Sequence, residues 1–392
     1  MLTGLPDSTH HIESHGPAHS IDELTSGLRV ALVHEWLAGV AGSEQTFAAM
    51  AELLPRADLF ALSYNRGSGV DLGGRPVRTS ALDRLCQRGG RAAALPLMPQ
   101  AMKHLGRGQE FDLIISSSHA FSRAFAHRKG GVHLSYTYTP MRYVWRPDLE
   151  RHRSRLRVPD PVLAHYRRVD RGFAAGVQSF AAISDEVRGR IQTSYGRDSR
   201  VVYPPCDTDY FHPSPTSVSR RGAVVVARLV SYKRVDLAID ACALAGVSLT
   251  VVGDGPERAH LQAHAEARAP GRVRFVGAVS RADLRDAYQR AAVVLFPGVE
   301  DFGIVPVEAQ SCGAPVVALG VAGALETVLH HPGAFVSGPD PSLFAEAIRQ
   351  TLDHPPAESE SCIQARRFSR GRFDRAFSDW VGDSLGSAGV PK

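Results

Sequence analysis

Short apolar runs alternate with helical patterns along the first half of the chain. The run LRVALV at 28–33 predicts a buried strand, and a turn rich in small residues at 39–42 follows it. A helix is predicted from about Ser43, so this opening has the strand, glycine loop and helix order of a nucleotide-binding α/β domain. Further strands are predicted at 111–118, at 132–139 and just before Ser184, which would cap the next helix.

The alternation resumes after a Pro- and Ser-rich segment at 202–217, which we interpret as a linker between domains. The second series of strands is predicted within 221–229 and at 247–253, 273–277, 292–297 and 314–319. A helix at 235–246 separates two of them, and aromatic residues at helical spacing predict an amphipathic helix at about 365–386. This pattern predicts an α/β fold with two parallel sheets. The expected divisions are a tail at 1–27, domains at 28–205 and 206–365, and a C-terminal helix at 366–392 that returns to the first domain.

Composition fits this architecture. The chain has 392 residues, of which 44% are hydrophobic and 22% are charged, as in ordinary globular proteins. No apolar run approaches the ~20 residues needed to span a bilayer. The polar first segment lacks the apolar core of a signal peptide, so we expect a cytoplasmic protein. Four histidines in the tail could bind a metal, although a disordered tail explains them more simply.

Five cysteines are widely spaced, without a CxxC pair, which argues against a disulfide framework or a zinc site. The chain carries a formal net charge of +5, and its positive charge is concentrated between Arg142 and Arg171, where nine arginines face four acidic residues. This basic stretch suits an anionic partner, such as a membrane surface or a lipid diphosphate. A solvated helical face is the alternative interpretation.

The sharpest chemical pattern is the segment EDFGIVPVE, from Glu300 to Glu308, between a strand and a helix. Pro306 suits the first turn of that helix, and Gly303 permits close backbone approach. Free N–H groups at a helix start attract an anion, and the two carboxylates could bind hydroxyls of a sugar and a ribose. A second pattern, VARLVSYK, places Arg228 and Lys233 after another strand, where they could neutralise a diphosphate.

Together, these two patterns resemble the GT-B glycosyltransferases of family 4. The resemblance also includes a Gly-Asp-Gly-Pro turn at 253–256 and a strand that ends in Phe-Val-Gly at 275–277, and it extends over about 222–328. It implies two Rossmann-like domains that face each other across a cleft, and a retaining hexosyl transfer from a nucleoside diphosphate sugar. It implies that Glu300 and His119 act on the transferred sugar. The implied donor-binding residues are Arg228, Lys233, Glu308, Gly303, Phe302, Ile304, Val305, Val279, Gly39 and Gly42.

The first domain resembles the family through Gly39 and Gly42, which stand where many members have a Gly-Gly loop, and through His119 at the end of a strand. The segment 139–145 (TPMRYVW) resembles bacterial O-antigen and exopolysaccharide mannosyltransferases. That resemblance favours GDP-mannose as donor, a UDP-sugar being the alternative. It also implies a lipid-linked acceptor and a position at the inner membrane face.

We expect no metal and no cofactor, because no Asp-x-Asp motif has a suitable strand context and the cations at 228 and 233 could neutralise the leaving group. We expect no nucleic acid as a partner. Three other functions compete. A Rossmann oxidoreductase would use Gly253 and Gly255, but Arg258 replaces the third glycine of its fingerprint. A sugar-binding protein would not need the Arg and Lys pair, and an epimerase would act without an acceptor.

Overall fold

The computed structural model describes residues 21–39, 42–126, 130–147 and 159–389. Within these residues, seven parallel strands form an N-terminal sheet. They are β1 (Val30–Leu37), β2 (Asp58–Tyr64), β3 (Val77–Thr79), β4 (Leu113–Ser118), β5 (Val132–Thr137), β6 (Ser179–Ala182) and β7 (Arg200–Val201). Their spatial order is β3-β2-β1-β4-β5-β6-β7, so the winding reverses between β1 and β4. Every side chain of β4 and β5 is buried, because covering elements pack on both faces of the sheet.

A second parallel sheet, the C-terminal sheet, has six strands in the described part of the chain. They are β8 (Ala223–Val226), β9 (Leu249–Val252), β10 (Val273–Gly277), β11 (Val293–Phe296), β12 (Val316–Leu319) and β13 (Phe335–Val336). Their order is β10-β9-β8-β11-β12-β13, with the reversal between β8 and β11. The expected pair of parallel Rossmann-like sheets is therefore present.

Helices connect these strands. In the first half they are α1 (Ile21–Leu24), α2 (Gly42–Leu53), α3 (Asp83–Gln87), α4 (Arg91–Ala94), α5 (Met98–Leu105), α6 (Arg142–Trp145), α7 (Asp160–Ala175) and α8 (Asp185–Tyr195). In the second half they are α9 (Val235–Ala245), α10 (Arg258–Arg268), α11 (Arg281–Arg290), α12 (Ile304–Ser311), α13 (Ala324–Thr327), α14 (Pro341–Asp353), α15 (Glu358–Arg366) and α16 (Arg370–Ser387). Short 3₁₀ turns occur at Leu95–Leu97, Ser122–Ala124 and Ser231–Lys233. Among the described residues, no helix combines the length and apolarity that a bilayer crossing needs.

Two predicted elements differ from the structure. Strand β1 continues to Leu37 rather than ending at residue 33, because buried partners bond His34 Nδ1 and the Glu35 carboxylate within it. The predicted helix at about 365–386 is divided, since α15 ends at Arg366 and α16 begins at Arg370. Ser184 caps α8 as expected, and its hydroxyl accepts from the backbone N–H of Val187 at 3.2 Å.

The chain passes twice between the two sheets, and the two passages lie side by side. The first follows β7 and the second joins α15 to α16. They meet in a parallel bridge between Cys206 and Ser369, where the Cys206 N–H donates to the Phe368 carbonyl at 2.9 Å. Helix α16 then covers the N-terminal sheet, with the Trp380 indole N–H donating to Ser179 Oγ at 2.9 Å. The end of the described chain thus completes the first hydrophobic core.

The basic stretch is only partly described, because its arginines at 151, 153, 155 and 157 lie outside the described residues. Arg142 pairs with Asp301 of the other domain. The guanidinium groups of Arg167 and Arg171 lie 5.6 and 4.9 Å from the ring centre of Trp145. These three arginines therefore make contacts within the protein, and the stretch is not a uniform solvated face.

We expect Trp380→Ala to lower the free energy of unfolding by about 3–5 kcal/mol, the usual cost of removing a buried aromatic side chain. Trp380 is 2% exposed and packs in the core that α16 shares with the N-terminal sheet. Chemical denaturation measures the change. The neighbouring exposed residue provides a control, since Asp379→Ala should change stability by less than about 0.5 kcal/mol. Equal effects of the two substitutions would mean that α16 is not needed for this core.

Candidate active site

A cleft of about 790 Å³ lies between the carboxyl ends of the two sheets. Each sheet contributes the loops at its reversal point, which follow β1 and β4 in one sheet and β8 and β11 in the other. In open parallel sheets, this crevice outside the strand ends is where ligands bind. The topology therefore places the four loops that carry most of the predicted chemistry around one space.

Nine of the twelve predicted site residues line this cleft: Gly42, His119, Arg228, Lys233, Glu300, Phe302, Gly303, Ile304 and Val305. Three do not. Gly39 lies just before two residues outside the described part, and Glu308 and Val279 lie elsewhere in the C-terminal domain. The cleft also includes residues that the sequence did not single out, among them Trp36, Tyr138, Tyr143 and Asp301.

The two predicted donor-binding cations, Arg228 and Lys233, lie in the first strand–helix connection of the C-terminal domain. Lys233 Nζ contacts Glu300 Oε1 in a half-buried ion pair, so the cation and the carboxylate meet across the ends of β8 and β11. Arg228 is exposed to the cleft and its guanidinium lies 3.4 Å from the Tyr232 hydroxyl. An anion in the cleft could therefore contact Arg228 directly and would share Lys233 with Glu300.

Helix α12 begins at the cleft, directly after Gly303. Gly303 has φ of 108°, and a Cβ there would lie 3.2 Å from Thr327 Oγ1, so the tight entry to this helix requires glycine. Pro306 occupies the first turn, where its missing N–H costs no helical hydrogen bond. Across the cleft, a Cβ on Gly42 would lie 2.3 Å from Ile304 Cδ1. Glycine at 42 therefore lets the two domains approach closely at the helix start.

Glu308 lies inside α12, away from the cleft lining. Its carboxylate accepts a hydrogen bond from the Tyr288 hydroxyl at 3.0 Å. Removal from water raises the pKa of Glu308 to about 7, although the Tyr288 hydrogen bond and Arg281 oppose the shift. This carboxyl group is therefore poised between its two protonation states near neutral pH.

Val279 lies beside a smaller cavity of about 360 Å³, between the C-terminal sheet and α11. The valines at 224, 252 and 276 share that cavity. Val279, which was predicted to lie at the donor site, is therefore not part of the lining of the main cleft.

The Gly-Asp-Gly-Pro turn supports the loop that carries Arg228. Leu229 N–H donates to the Asp254 carbonyl at 2.9 Å, and Glu257 N–H donates to the Leu229 carbonyl at 3.1 Å. A Cβ on Gly253 would lie 2.0 Å from the Ala227 carbonyl oxygen, so a side chain cannot fit there. The two backbones pack directly on each other, which fixes the course of the chain on both sides of Arg228.

On the opposite wall, a buried carboxylate holds the loop after β4. Glu35 is fully buried in β1 and accepts from the backbone N–H groups of His119, Ala120 and Ser122 at 3.1, 2.8 and 2.9 Å. Burial alone would raise the pKa of Glu35, yet His119, His34 and these backbone donors hold it below its usual value. Glu35 was not among the predicted site residues, because the strand was predicted to end before this position.

His119 stacks on the Tyr138 ring, with ring centres 4.3 Å apart and planes 16° apart. Burial lowers the pKa of His119, while Glu35 and Asp301 partly oppose this shift. A neutral imidazole facing the cleft can donate one hydrogen bond and accept another, which suits contact with a hydroxyl group.

Asp301 joins the two walls. Its carboxylate pairs with Arg142 at 3.2 Å and with Arg190 at 2.5 Å, both from the N-terminal domain. Its backbone carbonyl accepts from the Ser184 hydroxyl at 2.5 Å. The loop that carries Glu300 and Phe302 is therefore held by side chains of the other domain.

We expect Glu35→Gln to destabilise the protein by about 3 kcal/mol at pH 7, because the amide replaces one charged acceptor oxygen with a donor facing buried N–H groups. The lowered pKa of Glu35 also predicts how the stability of the protein changes with pH. Its stabilising contribution should be present above the unfolded pKa and be lost as pH falls through the lower folded value. Denaturation at several pH values measures both effects. Glu266→Gln, on the exposed face of α10, is the control, and an equally small change at both sites would contradict the role of Glu35.

Comparison with known proteins agrees with this geometry. Residues 209–368 match the family model described as glycosyl transferases group 1. The D-inositol 3-phosphate glycosyltransferase of Mycolicibacterium smegmatis is 32% identical in a 209-residue alignment that covers 46% of this chain and 48% of the relative. One from Kribbella flavida is 34% identical in a 203-residue alignment that covers 44% of this chain and 48% of the relative. The chain thus spans about half the length of the curated relatives it matches.

Solved structures resemble about nine-tenths of the chain. HepE of Anabaena, determined in complex with UDP-glucose, has a TM-score of 0.67 at 18% identity and covers 91% of this chain and 100% of its own. The lipopolysaccharide outer core galactosyltransferase WaaB has a TM-score of 0.61 at 18% identity and covers 91% and 100%. The chain therefore has the GT-B fold, and its C-terminal half is similar in sequence to the glycosyl transferases of group 1.

Proposed function

We propose that this protein is a glycosyltransferase that moves a hexosyl unit from a nucleoside diphosphate sugar to an acceptor hydroxyl. One observation carries the proposal: the cleft between the two sheets brings Arg228, Lys233, Glu300 and His119 together from three separate loops. The group 1 match supports it for the C-terminal half, and the nucleotide-bound HepE structures support it for the fold.

The reaction breaks the bond between the anomeric carbon and the diphosphate oxygen and forms a bond from that carbon to the acceptor oxygen. The acceptor hydroxyl releases its proton to solvent, and the nucleoside diphosphate leaves with one additional negative charge. Arg228 and Lys233 are placed to stabilise that charge, and the N–H groups at the start of α12 are aligned to assist. Retention of the anomeric configuration and independence from metal ions belong to the proposal through the family resemblance.

The other groups have separate roles in this proposal. Glu300 accepts hydrogen bonds from hydroxyls of the donor sugar, beside Lys233. Glu308 contacts the ribose, and its carboxylate also accepts a hydrogen bond from the Tyr288 hydroxyl. His119 bonds a hydroxyl near the reacting carbon, on a loop that Glu35 keeps in place.

The N-terminal wall of the cleft is the proposed acceptor side. Trp36, Tyr143 and Met98 line it, which gives an amphipathic surface for a sugar ring. Among the described residues, the buried Tyr143 hydroxyl has no hydrogen-bond partner, so its hydrogen-bonding capacity is unused in this wall. A lipid-linked acceptor at an anionic membrane, reached through the basic stretch from Arg142 to Arg171, stays part of the proposal.

Two donors compete. The resemblance of 139–145 favours GDP-mannose, whereas HepE was determined with UDP-glucose. Thermal shift with GDP-mannose, UDP-glucose, UDP-galactose and the free nucleotides should identify one base, and turnover of the best binder, with and without EDTA, tests transfer. Acceptor-dependent release of nucleoside diphosphate is expected. Conversion of the donor without any acceptor would indicate an epimerase, and tight NAD(H) binding without nucleotide-sugar binding would indicate an oxidoreductase.

Arg228→Ala should lower kcat/KM with the identified donor by at least ~100-fold, the usual scale for removing one donor that stabilises transition-state charge. Arg268→Ala is the matched control, because Arg268 is exposed on α10 and pairs with Asp240 far from the cleft lining. Steady-state kinetics on both folded variants provides the measurement. Similar kinetics for Arg228→Ala and the control would remove Arg228 from the diphosphate site.

Nucleoside diphosphate binding should strengthen with pH through the pKa of Glu308, because only the carboxylate accepts from both ribose hydroxyls. With a pKa of about 7, the ionised fraction rises about tenfold between pH 6 and pH 8. Because folding raises this pKa, Glu308 itself makes the fold less stable as pH rises from its unfolded value to about 7.

Calorimetry with wild type and Glu308→Gln separates this effect from titration of the nucleotide, which both proteins share. The variant should bind more weakly at pH 8 and show the flatter pH dependence. Parallel pH profiles for the two proteins would show that Glu308 does not contact the ribose.

A further inference from the structure

A second cavity, of about 530 Å³, lies where the two passages between the domains run side by side. Its walls come from the edge strand β7, from the end of α15 and from the first turns of α16, and it shares no lining residue with the active-site cleft. We call it the arginine groove, because four arginines line it: Arg200, Arg367, Arg372 and Arg375.

The charges in the groove are poorly balanced. Asp379 is the single acidic residue among the lining residues that the structure describes. Arg200 pairs at 2.8 Å with Asp383, whose side chain is 77% exposed, and Arg367 bonds the neutral Gln364 side chain at 3.0 Å. Within the described part of the chain, Arg372 and Arg375 have no carboxylate at ion-pair distance. The groove therefore gathers several guanidinium groups and leaves most of their charge to solvent.

The floor of the groove is aromatic. Phe368 is buried, and the Arg367 guanidinium lies 5.6 Å from its ring centre. Tyr203 is half-buried, with its ring centre 5.0 Å from that of Phe368. Scattered surface arginines are common, but these four converge on a concave space with an apolar base. Repulsion between them falls when a multiply charged anion binds, and guanidinium groups bind phosphate oxygens in bidentate geometry.

We propose that the arginine groove binds a phosphate-bearing anion at a site separate from the donor site. Such a ligand would contact Arg200 on the N-terminal sheet and Arg367 at the end of the C-terminal domain, so it would tie the two passages together. The floor also reaches the active site, because the Phe302 ring lies 5.8 Å from Tyr203 and 5.4 Å from Phe368. Phe302 lines the main cleft, so a ligand in the groove would affect the position of the loop that carries Glu300. The binding itself does not depend on the proposed glycosyl transfer.

Inorganic diphosphate is a suitable probe, and calorimetry counts its sites. In wild type, two sites are expected, one in each cavity. The double variant Arg228→Ala/Lys233→Ala should retain one site. Adding Arg372→Ser and Arg375→Ser should weaken that remaining site at least about tenfold, since each lost charged contact is worth roughly that factor or more. Its affinity should also fall with added salt.

Arg56→Ser/Arg268→Ser is the matched control, because both arginines are exposed and lie outside the groove. It should leave the stoichiometry at two, and circular dichroism verifies that each variant is folded. The proposal is wrong if the Arg228/Lys233 variant binds no diphosphate, or if the groove substitutions and the control act alike.

The phosphate could belong to a soluble molecule or to a lipid head group, and co-sedimentation with phosphatidylglycerol vesicles distinguishes these sources. Arg372→Ser/Arg375→Ser should reduce vesicle binding relative to the control if head groups occupy the groove. Unchanged vesicle binding, together with the lost diphosphate site, assigns the groove to a soluble phosphate compound. Unchanged vesicle binding with an intact diphosphate site overturns the proposal.

Discussion

The ion pairs of Asp301 with Arg142 and Arg190 are the contact on which the cleft depends. A cleft between two domains has a defined shape only if the domains have a fixed relative orientation. The Asp301 carboxylate joins the two domains at the edge of the site. All three side chains are between 11% and 22% exposed, so the pairs are shielded from solvent more than ordinary surface pairs are. A second contact lies nearby, where the N–H groups of Asp185 and Glu186 at the start of α8 donate to the Glu326 carboxylate. There an anionic side chain of one domain meets the positive end of a helix dipole from the other.

Each wall of the cleft uses a carboxylate to organise a loop rather than to react. Glu35 gathers the N–H groups after β4, and Asp301 anchors the loop after β11. Loop backbone at a strand end cannot satisfy its own N–H groups, and a buried carboxylate offers two acceptor oxygens to several donors. The residues with proposed chemical roles, His119 and Glu300, stand immediately beside these organised positions. Both walls therefore have loop backbone that is held in place by buried or half-buried carboxylates.

Much of the fold could be predicted from the sequence, because parallel strands buried on both faces appear as continuous apolar runs. The strand 113–118 is an example, as is the helix start at Ser184. Nine of the predicted site residues also lie together in the cleft, because residues that follow the carboxyl ends of parallel strands meet at one edge of the sheet. Glu35 was missed because a charge inside a buried strand looks like the end of that strand, and only tertiary partners make it tolerable. Asp301 stood between two predicted residues, but its partners are more than one hundred positions away. The arginine groove is likewise invisible in sequence, because Arg200 is far from the three arginines it joins.

The return of α16 to the N-terminal sheet bears on how the chain folds as it is synthesised. A ribosome releases the first domain well before the second, and domains generally begin to fold in that order. Here the aromatic face of the first sheet, with Tyr136 against Phe373 and Phe377, stays uncovered until the whole second domain has been made. The nascent chain therefore carries an exposed apolar surface through more than one hundred and fifty further residues of translation. Chaperones that bind apolar nascent segments have a defined target during that interval, and the two domains reach their final state as a unit.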